Sequence, residues 1–177
     1  MPANLLIIDD KNVPRDIVKY PWAKKMIQPQ NWIRHVLATN NTYELAAGRN
    51  CKELLSDILN LLNEKNGKSF DGTILDIIFS NEPDGGIQLW NALIKAGVRN
   101  RLGPLLISTN ANYADDPQLM KFAALHAGGR ISGDKNEGAL RPLCEFLDII
   151  PGANKCNKKS AKKVAKKTVS PPKKQTR

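Results

Sequence analysis

Several groups able to do phosphate or metal chemistry stand at the ends of apolar runs in this sequence. Leu5-Leu6-Ile7-Ile8 is followed by Asp9 and Asp10, and Thr73-Ile74-Leu75 by Asp76. Leu105-Leu106-Ile107 is followed by Ser108 and Thr109, and the short run Arg130-Ile131-Ser132 precedes Lys135. Apolar runs of this length, bounded by polar residues, read as buried strands. In an open parallel sheet the ligand crevice lies beyond the C-terminal ends of the strands, where strand order reverses. Three ionised carboxylates gathered there repel one another. A hard divalent cation removes that conflict, and Mg²⁺ accepts oxygen ligands while keeping several waters. Asp9, Asp10 and Asp76 are therefore the candidate metal ligands, with Asp10 favoured over Asp9 as a direct one. Asp76 has a second option as the nucleophile of an acyl-phosphate. Ser108 or Thr109, with Thr109 preferred, can donate a hydroxyl to a phosphoryl oxygen, and the Lys135 ammonium can neutralise its charge. Transfer of a phosphoryl group spreads charge over equatorial oxygens that need such partners.

The elements that must position these groups follow from periodicity. Asn4–Ile8, Thr73–Phe79 and Pro104–Ser108 are predicted strands, with a short one at Arg130–Ser132 and a weaker one at Thr42–Ala46. Asn50–Lys65 is the clearest helix, since Leu54, Leu55, Ile58, Leu59, Leu61 and Leu62 recur at helical spacing. Asn50 with Glu53 makes a capping-box start. Further helices are predicted over Ile87–Ala96, from Asp115 or Asp116 to about His126, and over Glu137–Ile149. Pro117 suits a first turn, and Gly128-Gly129 a stop. Residues 11–41 carry Pro14, Pro21 and Pro29, which break any long helix; Asp16–Lys19 reads as a helical turn and Trp32–Ala38 as a short helix. Strands alternating with amphipathic helices predict a doubly wound α/β fold with a parallel sheet covered on both faces.

Charge divides the chain. Of its 27 basic and 17 acidic side chains, residues 1–150 hold 17 of each, and residues 151–177 hold 10 basic and no acidic ones. Residues 1–150 are thus expected to form one neutral domain. Residues 151–177, with lysine pairs at 158–159, 162–163, 166–167 and 173–174, have too little apolar surface to repay ordering and are expected to form a disordered lysine-rich tail. Such a tail can contact the phosphates of DNA or RNA without sequence preference, or dock on acidic proteins or lipids. It has no aromatic residue for base stacking. The N-terminus lacks the basic and apolar regions of a signal peptide, and no run is long enough to span a membrane. Cys51, Cys144 and Cys156 are scattered and odd in number, and the only histidines are His35 and His126, so neither a disulfide framework nor a zinc site is expected. A reducing, cytoplasmic setting follows as an expectation.

Taken in order, these segments resemble the receiver domain of two-component response regulators, over about residues 4–150. Leu5-Leu6-Ile7-Ile8-Asp9-Asp10-Lys11 is similar to that family's first strand with its acidic pair, and Thr73-Ile74-Leu75-Asp76 to the strand bearing its phosphoacceptor. Pro83-Asp84-Gly85 resembles the turn that follows, Leu105–Ala111 the strand ending in a hydroxyl residue, and Ala127–Lys135 the Ala-Gly segment ending in the site lysine. The resemblance implies a flavodoxin-like sheet of five parallel strands and a stand-alone signalling domain rather than an enzyme. It implies phosphorylation of Asp76 with Mg²⁺, a histidine kinase or phosphotransfer protein as donor, a downstream protein partner, and a homodimer through a helix-and-strand face.

The sequence also departs from the family. Asp10 and Asp76 lie 66 residues apart, a surplus assigned to residues 11–41, and Gly85 follows Asp76 by nine residues. Asn136 replaces the proline after the site lysine, and Ser132 stands where many members carry a switch aromatic. These departures motivate an alternative expectation: a phosphorylation-independent adaptor of the same fold whose basic tail binds nucleic acid. A hydrolytic phosphatase would need a second acid–base carboxylate after Asp76, and Ile78 does not supply one. Trp90 is expected in the core, and His126 near a helix end.

Overall fold

The computed structural model describes residues 3–9, 32–38, 50–64, 69–78, 84–109, 114–132 and 140–151. Five strands run parallel: β1 (Ala3–Asp9), β2 (Trp32–Ala38), β3 (Gly72–Asp76), β4 (Leu105–Ser108) and β5 (Ile131–Ser132). Their order across the sheet is β2-β1-β3-β4-β5. This is the flavodoxin-like order, and it reverses between β1 and β3. Four helices are described: α1 (Cys51–Glu64), α2 (Gly85–Lys95), α3 (Pro117–His126) and α4 (Leu140–Ile149).

Alternation along the strands sorts the core into two layers, because successive side chains point to opposite faces. Leu6, Ile8, Leu75, Ile77, Leu105 and Ile107 join Leu54, Ile58 and Leu62 of α1, Leu89, Trp90 and Leu93 of α2, and Leu119, Phe122 and Ala123 of α3 in one buried cluster. On the opposite face a Cβ on Gly72 would meet Phe146 and Ile150 at 2.8 Å and Leu5 at 3.2 Å. Glycine at the first position of β3 thus lets α4 and the turn after it lie close to the sheet. Helices on both faces of a parallel sheet are what the near-continuous apolar strands led one to expect.

Local signals set the helix ends. Asn50 Oδ1 accepts from the Glu53 amide at 3.0 Å, and Glu53 Oε2 accepts from the Asn50 amide at 3.0 Å, closing the capping box. Asp116 rather than Asp115 caps α3, its carboxylate accepting from the Gln118 and Leu119 amides at 2.9 Å each. Gly128 and Gly129 adopt φ of +57° and +74°, the left-handed stop that glycine permits.

Two readings need correction, and two more lie outside the description. Trp32–Ala38 is a strand, not a helix: it pairs along its length with β1, from Ala3↔Trp32 to Asp9↔Ala38. The hydrogen-bonding edge of β1 and the β-favouring Trp32, Ile33 and Val36 outweigh a spacing that fits either element. Cys144 on α4 is disulfide-bonded while Cys51 is a free thiol. An odd cysteine count leaves room for one pair, so the cysteines carry no argument about the compartment. The helical turn at Asp16–Lys19 and the strand at Thr42–Ala46 lie outside the described residues.

Candidate functional site

The sheet register brings several of the singled-out residues to one edge. Ile8 pairs with Leu75, so Asp9 and Asp76 end neighbouring strands on either side of the order reversal. Asp76 pairs with Ser108, and Ser108 with Ser132. Thr109 follows directly. The C-terminal ends of β1, β3 and β4 therefore carry Asp9, Asp76, Ser108 and Thr109 side by side. The Asp9 side chain, Asp10 and Lys135 lie outside the description. In the sequence Lys135 comes three residues after Ser132, the last residue of β5.

Asp76 is 9% exposed. The chain past it is held by the Ile77 amide donating to the Ser108 carbonyl at 3.1 Å. Its Oδ1 accepts from the Ile78 amide at a long 3.4 Å. Thr109 is 6% exposed, and its hydroxyl has no hydrogen-bond partner among the described residues. Ser108 is half-buried. A buried hydroxyl without a partner is costly.

The start of α2 closes the site from behind. The Gly86 amide donates to the Ile77 carbonyl at 2.9 Å, and a Cβ on Gly86 would lie 2.8 Å from Ile77 Cα and closer still to the Asp76 carbonyl oxygen. Cys51 Sγ–H donates to the Gly85 carbonyl at 3.3 Å, tying the first residue of α1 to the first of α2. The sequence reads as a turn over Glu82–Gly86, whereas Gly85 and Gly86 open α2. The doubled glycine was the available signal, because a second glycine at a helix start points to close backbone approach.

Among the described residues no group of three or more His, Cys, Asp or Glu is placed to hold a metal. What fits a hard cation here is the donor chemistry: Asp76 at one strand end beside a second strand ending in Asp9. No described helix is long and apolar enough to cross a membrane.

No family model matches the sequence, and no curated protein matches it. Among solved structures the chain is similar to the receiver domain of the Francisella response regulator 1452, at 16% identity and a TM-score of 0.47, over 81% of this chain and 96% of that one. It is also similar to the signal receiver domain of a Vibrio parahaemolyticus protein named for the Luxo repressor, at 10% identity and a TM-score of 0.45, over 76% of this chain and 79% of that one.

Proposed function

We propose that this domain is a signalling receiver that takes a phosphoryl group on Asp76. The observation that supports the reading is a nearly buried carboxylate beside a buried hydroxyl that has no hydrogen-bond partner among the described residues, at the ends of adjacent strands next to the order reversal. A carboxylate oxygen of Asp76 attacks phosphorus, the bond from phosphorus to the donor's leaving group breaks, and the leaving group departs with its electron pair and takes up a proton. The Thr109 hydroxyl, with Ser108 beside it, donates to a phosphoryl oxygen, and Lys135 neutralises the added charge. Asp9, Asp10 and Asp76 would hold Mg²⁺, which supplies charge neutralisation for the incoming oxygens. A histidine kinase or phosphotransfer protein is the expected donor, and the output is altered docking on a protein partner. The domain itself is not an enzyme in this reading.

Intact-mass measurement after incubation with acetyl phosphate or phosphoramidate and Mg²⁺ tests the proposal. One phosphoryl adduct is expected on the native chain and none on Asp76→Asn. No adduct with either donor, or an adduct retained in Asp76→Asn, overturns it. The adaptor reading draws on Ser132, which ends β5 beside Ser108 where a switch aromatic is common. It requires that partner affinity be unchanged in Asp76→Ala.

A further inference from the structure

The opposite edge of the sheet has a different chemistry. Each helix returns the chain to the start of the next parallel strand, so the ends of α2 and α3 and the starts of β4 and β5 share the N-terminal edge. Arg99 opens the short 3₁₀ turn between α2 and β4, and His126 ends α3. Both are half-buried, and both side chains are held in place. The Arg99 guanidinium lies 5.0 Å from the centroid of the Trp90 ring, and its Nη1 donates to the Gly103 carbonyl at 2.9 Å. Trp90 is wholly buried, so the surface under the guanidinium is fixed. The buried Phe122 ring sits 4.9 Å from that of His126. The two groups feel each other, since the Arg99 charge opposes protonation of His126.

Taking a cation partly out of water is costly unless it is paired. Burial alone acts on the Arg99 guanidinium, and burial with Arg99 on His126; no carboxylate acts on either among the described residues. The other charged groups of the neighbouring elements are Lys95 at the end of α2, Arg101 in the same 3₁₀ turn, Lys121 on α3 and Arg130 before β5, all of them cations. Acidic groups are engaged elsewhere. Asp71 accepts from the Asn4 amide at 2.7 Å, and Glu145 accepts from Arg141 at 2.8 Å and acts on Arg130. We propose that Arg99 and His126 form a binding site for one carboxylate group, gripped by the remaining donors of the guanidinium and by an imidazole N–H.

Charge and shape select this ligand class. A guanidinium has five donors in a planar fork and Gly103 takes one of them, so a pair remains for two oxygens lying in one plane. Burial and Arg99 disfavour the imidazolium, so near neutral pH the site carries one positive charge, which matches a carboxylate better than a phosphate dianion. A bound anion favours the imidazolium, so binding and protonation of His126 are linked: the carboxylate raises the histidine pKa, and its affinity rises as pH falls. The site does not depend on the phosphoacceptor reading, since it lies at the other end of the strands.

The test follows the His126 ring protons by NMR in the full chain from pH 8 to 5, in sodium acetate and in sodium chloride of the same ionic strength. His35, the only other histidine, is the internal control. Acetate is expected to raise the His126 pKa relative to chloride, to leave that of His35 unchanged, and to bind about tenfold tighter below the His126 pKa than above it. In Arg99→Gln the acetate effect should vanish. In Arg99→Lys, which keeps the charge and loses the fork, acetate should bind about tenfold more weakly. Equal His126 pKa values in the two salts, an equal shift of His35, or an acetate effect retained in Arg99→Gln overturns the site. Acetate affinity unchanged in Arg99→Lys overturns the two-oxygen grip, and a larger His126 shift in phosphate than in acetate overturns the choice of carboxylate. Aspartate blocked at both ends separates the two sources of the group: affinity at or above that of acetate supports an acidic side chain of a protein partner, and no binding overturns that source in favour of a free acid.

Discussion

The two edges of the sheet are held together in different ways. At the N-terminal edge, backbone and side-chain hydrogen bonds join the starts of the strands. The Phe70 amide donates to the Arg101 carbonyl at 2.8 Å, Asp71 to Asn4 at 2.7 Å, and Thr73 to Pro104 at 2.9 Å. The buried Thr73 hydroxyl donates to the Leu102 carbonyl at 2.6 Å. At the C-terminal edge the buried Thr109 hydroxyl has no partner among the described residues, and the Asp76 carboxylate holds the Ile78 amide only at 3.4 Å. One edge ties the starts of its strands together through these hydrogen bonds and carries Lys95, Arg99, Arg101 and Arg130. The other keeps a buried hydroxyl without a partner among the described residues, beside the Asp76 carboxylate. Functional edges are where such local cost is tolerated, because their stabilising contacts are completed on binding.

The largest expected effect lies at the site edge. Gly86→Ala forces a methyl group against the Asp76–Ile77 backbone, which cannot rotate away as a side chain could. We expect a loss of about 2–3 kcal/mol, read as a lower denaturant midpoint, together with a slower phosphoryl uptake because Asp76 must move. An unchanged midpoint would mean that α2 does not press on the phosphoacceptor strand.

A matched pair of threonines sharpens the comparison. Thr73→Val at the N-terminal edge removes a buried donor and orphans the Leu102 carbonyl, for an expected loss of about 1–2 kcal/mol. Thr109→Val at the other edge removes a hydroxyl that has no partner among the described residues, so stability should hold or rise by up to about 1 kcal/mol while phosphoryl uptake falls. If both variants lose the same stability, the Thr109 hydroxyl is satisfied in solution and the contrast between the edges fails.

Much of this was legible in the sequence, for reasons that differ by element. The strands of the sheet interior announce themselves because both faces are covered, so Leu5–Ile8 and Leu105–Ile107 are unbroken apolar runs. The Asn50–Glu53 box and the Asp116–Pro117 start are local interactions that the sequence states outright. Trp32–Ala38 misled because its pattern fits both periods, and only the free edge of β1, a partner distant in sequence, decides between them. Asp76 and Thr109 were found because a polar residue ends an apolar run. Gly86 was not, because its importance comes from α2 lying against β3, a distance no local pattern encodes. The cations of the N-terminal edge were equally hidden: they are scattered over residues 95–130 and become neighbours only when the crossovers return to the same edge.

The smallest expected effect reports on that arginine edge from within. His126 ends α3, with the Phe122 ring 4.9 Å away. Burial, and then the positive charge of Arg99, holds its pKa below the ordinary histidine value. Arg99 itself is fixed over the Trp90 ring, 5.0 Å from its centroid, so its charge cannot swing away from His126. With the folded pKa below an unfolded value of about 6.5, the unfolded state binds more protons between the two, and stability rises with pH across that window. The contribution is therefore whole above about pH 6.5 and is lost as pH falls through the folded value. It is small, because the ring is partly exposed and solvent screens it. Melting curves from pH 7.5 to 5 should show a loss that His126→Gln reduces. In Arg99→Gln the His126 pKa, followed by the ring-proton shift in NMR, should rise without reaching the ordinary value, since burial, the larger cause, remains. A pKa unmoved by loss of Arg99 would place that cation's charge away from His126, out toward solvent, and would remove the internal sign that this edge gathers positive charge.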